Sequence, residues 1–305
     1  MSQNQTAVSV AEPALAETVS QRPPQRRRRL SVHGSPRGLG AVGAYAGIAV
    51  ILFVFLFPLA FLLNTSLKST AEFAANPVGI VADPQWTNFS EAWTRGNFGA
   101  YILNSLLYTV CGAALGTFAG LVMAFPVARG YVRGGGGWTA LFTVMLFLPN
   151  ALMTLFQLML RINLYDTQLG YILACAAGVG VGPLLLLGFF RSLPRELDEA
   201  AAIDGIGYWR YLFTFVIPLA KPAIVTVFML QAVWIWNEII LATILLPTQT
   251  KAPLPLGLLN FQGTYSNQWG LLAAATVIVA APLIVAYIFI QRYLVNGVLG
   301  GAVKG

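Results

Sequence analysis

The sequence predicts an all-α membrane protein with six transmembrane helices, and three observations predict it. Of 305 residues, 57% are hydrophobic and only 10% are charged, with a mean hydropathy of +0.71. Soluble domains carry roughly 25% charged residues. Six apolar stretches, at 41–63, 101–125, 138–162, 169–190, 219–246 and 271–294, each reach the length of about 20 residues that a bilayer-crossing helix needs. Lysine and arginine alternate in abundance between successive connections, as they do where one side of a membrane retains positive charge.

The first stretch is too long for the roughly 7–15-residue apolar region of a cleaved signal peptide, so it reads as a signal-anchor. Before it, residues 1–38 are polar and rich in Gln, Pro, Ser and Arg, which predicts a disordered basic tail lying near anionic headgroups. The remainder, 39–305, is expected to be one six-helix membrane domain. Residues 64–100 form an outer loop whose Trp86, Phe89, Trp93 and Phe98 can pack a small cap or lie at the interface. Residues 247–270 form a second outer loop, for which Pro253, Pro255, Gly257 and Gly263 predict a bent, non-helical path. Pro58, Pro126, Pro149, Pro183 and Pro282 fall in or beside the spans, which membrane helices tolerate when neighbours satisfy the freed carbonyls.

Orientation follows from the cations. With the N-terminus inside, inner segments hold 14 of the 18 Lys and Arg residues; Lys68, Arg95, Arg161 and Lys251 lie outside. Both termini are therefore expected in the cytoplasm. The net charge of +7 is concentrated at Arg26–Arg29, just before the first span, which argues for a membrane surface and against nucleic acid. Cys111 and Cys175 both lie in apolar stretches, so neither a disulfide framework nor a metal site is indicated. Gly134–Gly137 is a flexible inner connection, not a phosphate loop. The G-x-x-x-x-G-K-[ST] pattern is absent, so the chain has no recognisable ATPase of its own. The only histidine, His33, sits in the polar tail, which leaves the spans without an acid/base cluster for a membrane-embedded enzyme.

Between the fourth and fifth stretches, residues 195–222 carry Glu199, Asp204, Arg210 and Lys221. Glu196, Asp198 and Glu199 suit the first turn of a helix, where negative charge meets the N-terminal dipole. Ala200, Ala201 and Ala202 favour helix and add little bulk. Gly205 and Gly207 permit a sharp turn, and an aromatic second helix begins at Tyr208 and is interrupted by Pro218. The product is a helix–turn–helix elbow. An interfacial helix lying on lipid would explain the aromatics but not the acidic first turn, since anionic lipid repels carboxylates. The segment therefore reads as a handle for a soluble partner on the inner side.

The spacing E-A-A, then Gly205 four residues after Ala201 and Pro218 thirteen further on, resembles the EAA loop of ABC-importer permeases of the carbohydrate-uptake type, those similar to the second maltose permease subunit. Trp236-Asn237-Glu238, Asn104-Ser105, Gln291-Arg292-Tyr293 and the ending Gly297–Gly305 resemble further elements of that family, while Phe215 and Ile217 stand where its loop prefers Ile and Leu. The resemblance implies type I ABC-importer permease architecture in a prokaryotic inner membrane. It implies a second homologous permease, two cytoplasmic ATPase subunits that use ATP and Mg, and an extracytoplasmic solute-binding protein delivering a sugar. No cofactor is implied for this chain itself. Glu199, Ala200, Ala201, Asp204, Gly205 and Pro218 become the implied ATPase-coupling residues. The C-terminal tail, 295–305, with Gly300, Gly301 and Lys304, becomes a second ATPase contact.

Polar residues within the spans are candidates for the solute pathway. Glu238 is the only acidic residue in a predicted span, and it shares an expected helical face with Gln231 and Trp234. Polar groups beside an aromatic ring suit sugar recognition, and they equally suit a hydrogen-bond cluster between helices. Asn237 belongs with this group, and Asn150 and Gln157, seven residues apart, form a second stripe. A stand-alone secondary transporter or channel is the alternative, but a single intramembrane carboxylate supports it thinly and leaves the elbow without a use.

Overall fold

The computed structural model describes residues 39–148, 151–178 and 180–302, with side chains at 42–148, 151–178 and 180–288. The basic tail, Pro149, Asn150 and Lys304 lie outside the described residues. Fourteen α-helices follow one another: α1 (Leu39–Ser66), α2 (Thr70–Ala75), α3 (Thr87–Arg95), α4 (Phe98–Arg129), α5 (Gly135–Met145), α6 (Leu152–Arg161), α7 (Gln168–Ala177), α8 (Gly182–Ser192), α9 (Glu196–Ile203), α10 (Tyr208–Tyr211), α11 (Ile217–Trp236), α12 (Ile240–Leu245), α13 (Leu254–Thr264) and α14 (Trp269–Ala302). No strand occurs among the described residues.

The chain divides into two units, residues 1–55 and 56–305. The described part of the first is the leading portion of α1, an apolar helix whose side chains from Val42 to Phe55 are all exposed. A helix apolar on every face suits lipid or another membrane helix, not water.

The second unit is built on α4. Its 32 residues, at roughly 1.5 Å each, make a rod about 48 Å long. α7, α8 and α11 pack along it. Gly116 is what lets α11 come so close, because a Cβ there would sit 2.0 Å from Gln231 Nε2. Two apolar cores flank the rod. One gathers Phe98, Tyr101 and Tyr108 of α4 with Tyr171, Ile235, Leu254, Phe261 and Leu272. The other gathers Leu121 and Phe125 with Leu186, Phe190, Tyr211, Leu212 and Val216.

Six continuous spans were expected, and the structure corrects their continuity. Among the described residues, four helices are long and apolar enough to cross a membrane: Val42–Ser66, Phe98–Arg129, Tyr208–Trp236 and Trp269–Ile288. The expected fourth span is a pair, α7 and α8, bent by 51°, which brings the number to five if counted as one crossing. Pro183 lies in the first turn of α8, where its missing N–H costs nothing, and so favours a fresh helix start. The expected third span, 138–162, is two helices, α5 and α6. The expected fifth, 219–246, stops at Trp236. Asn237 Nδ2 there donates to Val233 O (2.8 Å), and Glu238 Oε1 accepts the Leu241 N–H (2.8 Å), capping the next turn.

The expected irregular path of residues 247–270 is corrected as well. Residues 254–264 are helical, not irregular, because Pro253 and Pro255 fall before and within the first turn, where proline favours a helix. Gly257 is required for packing: a Cβ would lie 2.1 Å from the Tyr101 ring. Within residues 64–100, α3 packs on α14, while Trp86 and Trp93 stay exposed.

Candidate functional site

The segment after α8 folds as a helix–turn–helix elbow. α9 carries Glu196, Asp198 and Glu199 in its first turn, where the helix dipole favours them. It ends at Gly205, whose φ of +65° closes the turn in a backbone region that side chains with a Cβ rarely adopt. The expected interruption at Pro218 takes another form. Proline there would clash with the Thr214 carbonyl four residues back, and Leu212–Val216 widens into a π-helical turn that relieves it. α10 therefore runs through that turn into α11, and Tyr208–Trp236 is one continuous helical path.

Of the six predicted coupling residues, Glu199, Ala200, Asp204, Gly205 and Pro218 are exposed, and Ala201 is buried. Ala201 thus faces the chain's own core beside Phe190 and Tyr211; its small size lets α9 lie close. Ile203, 86% exposed at the end of α9, and Trp209, 58% exposed on α10, are large apolar side chains on the elbow that were not among the predicted coupling residues. Apolar side chains in a charged segment were the available signal.

Beneath that surface, one carboxylate ties the elbow down. Asp198 Oδ1 accepts a hydrogen bond from Tyr211 Oη at 2.6 Å, and Asp198 Oδ2 lies 3.2 Å from Arg129 Nε at the end of α4. The Arg129 contact is an ion pair rather than a linear hydrogen bond. Arg129 also donates from Nη1 to Leu193 O (2.9 Å) and from Nη2 to Pro194 O (3.4 Å). The Arg129 side chain is only 3% exposed. Phe125, Tyr131 and Tyr208 pack their rings against one another, with centroids 5.8–6.1 Å apart.

The solute-pathway candidates do not form one stripe. Gln231 is buried against Gly116 and donates weakly to Cys175 O at 3.5 Å. Trp234 is exposed, with its ring over Gly178 at the α7–α8 break. α11 ends before Asn237 and Glu238, so the expected face shared by Gln231, Trp234 and Glu238 is broken. Asn237 is exposed, and Glu238 is half-buried in its capping role. Gln157 is exposed on α6. Gly300 and Gly301 continue the α14 helix.

Comparison with known proteins fits this architecture. Residues 116–300, more than half of the chain, match the family model described as the binding-protein-dependent transport system inner membrane component. The chain belongs to that family. Its relatives include the melibiose/raffinose/stachyose import permease protein MelC of Bacillus subtilis (strain 168), 31% identical over 261 residues, covering 84% of this chain and 94% of MelC. They also include the diacetylchitobiose uptake system permease protein NgcG of Streptomyces coelicolor, 31% identical over 82% of this chain and 85% of NgcG. The crystal structure of a bacterial ABC transporter involved in the import of the acidic polysaccharide alginate contains a chain of the same fold. Its TM-score is 0.71 at 24% identity, covering 83% of this chain and 95% of that one. Membership in a binding-protein-dependent family sets aside the stand-alone transporter.

At the opposite end of α4 from the elbow lie further ties that the sequence did not announce. Asn104 Nδ2 donates to Thr250 O (2.9 Å) and Ala252 O (3.0 Å), and Tyr108 Oη donates to Lys251 O (2.8 Å). Lys251 Nζ pairs with Asp166 Oδ2 at 3.0 Å, and Thr248 Oγ1 donates to the same oxygen at 2.7 Å. Burial alone would push the Asp166 carboxyl up, but the Thr248 and Lys251 hydrogen bonds and the Lys251 charge outweigh it and hold it below its ordinary value. Partners some 80–150 positions apart leave no local pattern to read.

Proposed function

We propose that this chain is one of two homologous permeases that together form the membrane pathway of an ATP-driven sugar importer. Each permease offers its elbow to one of two cytoplasmic ATPase subunits, which bind ATP and Mg. Glu199, Ala200, Asp204 and Gly205 present the docking surface together with Ile203, Ala201 supports it from beneath, and Pro218 marks where it enters the membrane. Gly300, Gly301 and Lys304 make the second ATPase contact, with both termini in the cytoplasm. An extracytoplasmic binding protein delivers a di- or oligosaccharide to the outer face, the substrate class of MelC and NgcG by their names. Gln157 and Trp234, exposed on helices, and Asn237, exposed just past the end of α11, contact the solute with Asn150, while Gln231 and Glu238 hold the helices in place.

One observation carries the reading: an exposed, charged elbow is continuous through α10 and the π-helical turn with the span α11. A partner that moves the elbow moves a membrane helix. The first experiment is ATP hydrolysis by the reconstituted complex, with and without its binding protein, using melibiose, raffinose and diacetylchitobiose as probes. A Cβ at Gly205 meets no atom of this chain, so Gly205→Asp strains the turn and projects a charge to where the ATPase sits. Stimulated hydrolysis in wild type, and uncoupling or loss of the ATPase in Gly205→Asp, is the expected outcome. Hydrolysis indifferent to the substitution would sink the coupling role.

A further inference from the structure

The elbow has two soft joints. One is the connection Leu193–Arg195 between α8 and α9, and the other is the glycine turn between α9 and α10. A force on the eight-residue α9 could be absorbed by bending at either, and the spans would then feel little of it. Asp198 closes both joints at once. Its two oxygens take Tyr211 from beyond the glycine turn and Arg129 from α4. Arg129 spends its remaining donors on the carbonyls of Leu193 and Pro194, the other joint. A guanidinium whose side chain is 3% exposed, facing a carboxylate 18% exposed, is a desolvated pair; a surface bridge is not. Its planar fork suits three acceptors at fixed angles, which a lysine ammonium does not match.

We propose that Arg129, Asp198 and Tyr211 are positioning residues that latch the elbow to α4, so that the two move as one body. The displacement of α9 then reaches α4 directly as well as α11. α4 is an unbroken helix, and its far end holds the 250–254 segment through Asn104, Ser105 and Tyr108. The latch thereby places the elbow and the outer α13 segment on opposite ends of one rod. The inference rests on the importer reading above, in that an ATPase supplies the displacement.

The test uses the complete complex with spin labels at Glu196→Cys on α9 and Phe118→Cys on α4, both exposed, in a chain with Cys111 and Cys175 replaced by alanine. The distance between the labels is measured without nucleotide and after trapping with ATP and vanadate. With the latch intact, the distribution is the same in both states. Arg129→Gln is expected to broaden it by at least about twofold or shift it on trapping, as a freed hinge does. A wild-type distribution in both states would overturn the latch. Should Arg129→Gln fail to assemble, Tyr211→Phe decides. It keeps the ring and removes only the bond to Asp198, so broadening supports the latch and an unchanged distribution overturns it. A merely structural role would lower the amount of complex without altering the distribution. Failure of the importer reading has its own signature: no ATPase co-purifies with the wild-type chain, which overturns both.

Discussion

Ser105, at the start of the third turn of α4, accepts a hydrogen bond from the Leu254 backbone N–H at 2.7 Å, across 149 residues of sequence. Ser105 is 2% exposed and Leu254 is fully buried, so no solvent can replace the bond. Ser105→Ala should leave a buried donor unpaired, at a cost of about 1–3 kcal/mol. Asn104→Ala, which removes two further carbonyl partners, should loosen the same segment. Limited proteolysis between residues 247 and 253 in detergent reads this directly: both variants should be cut faster than wild type. Equal cutting rates would mean that α13 is held by its apolar contacts alone.

Gly116 and Gln231 should show strong non-additivity. A methyl at 116 favours the helix by roughly 1 kcal/mol, but it would sit 2.0 Å from Gln231 Nε2, and forcing side chains apart costs about 1–3 kcal/mol. Gly116→Ala alone should therefore lower the melting temperature. In a Gln231→Ala background the obstruction is gone, and the same change should be neutral or stabilising. A thermal double-mutant cycle checks it, and additive effects would show that α4 and α11 can separate freely.

Asp166 should make stability fall in acid. Its folded-state pKa lies below the ordinary carboxylate value of 3.8, so the unfolded chain takes up a proton first as pH drops. The contribution is complete above that value and is lost as pH falls through it toward the lower folded pKa. Melting temperature should therefore decline more steeply for wild type than for Asp166→Asn on going below about pH 4. Parallel declines would remove Asp166 from the account of how the 248–251 segment is held.

The elbow was legible in the sequence because everything that makes it is local: acids at a helix start, three alanines, a glycine where φ turns positive. The spans were legible as apolar length, and the breaks in them were not. Glu238 was read as a group on a helix face, yet it ends one helix and caps another, a choice made by hydrogen bonds three residues away. α13 was read as irregular because proline and glycine were taken as breakers. The structure uses both prolines at the one place in a helix where they cost nothing, and uses Gly257 to admit the Tyr101 ring. Arg129 was counted only as an inner-side charge. That it is buried and points at Asp198 depends on α4 and α9 lying together, which no pattern along the chain encodes.

The exposed Ile203 on the elbow makes the sharpest prediction about partners. Ile203 lies at the end of α9 with 86% of its surface free, beside Asp204 and the glycine turn. Isolated exposed isoleucines are ordinary on soluble surfaces, but this one stands on α9 among the exposed, small or charged Glu199, Ala200, Ala202 and Asp204. Removing it touches no packing within the chain, so Ile203→Ser should leave the melting temperature of the isolated permease unchanged to within about 0.5 kcal/mol of stability. If Ile203 is an anchor in an ATPase groove, its loss should weaken assembly by about 1–3 kcal/mol, or roughly tenfold or more in the amount of ATPase retained on dilution. Lys221→Ala, near the base of the elbow and also exposed, provides the comparison, since a rim charge should change retention far less. Equal retention of the ATPase by wild type and Ile203→Ser would place the docking contact on Glu199 and Asp204 instead, and make the interface an electrostatic one that weakens with salt.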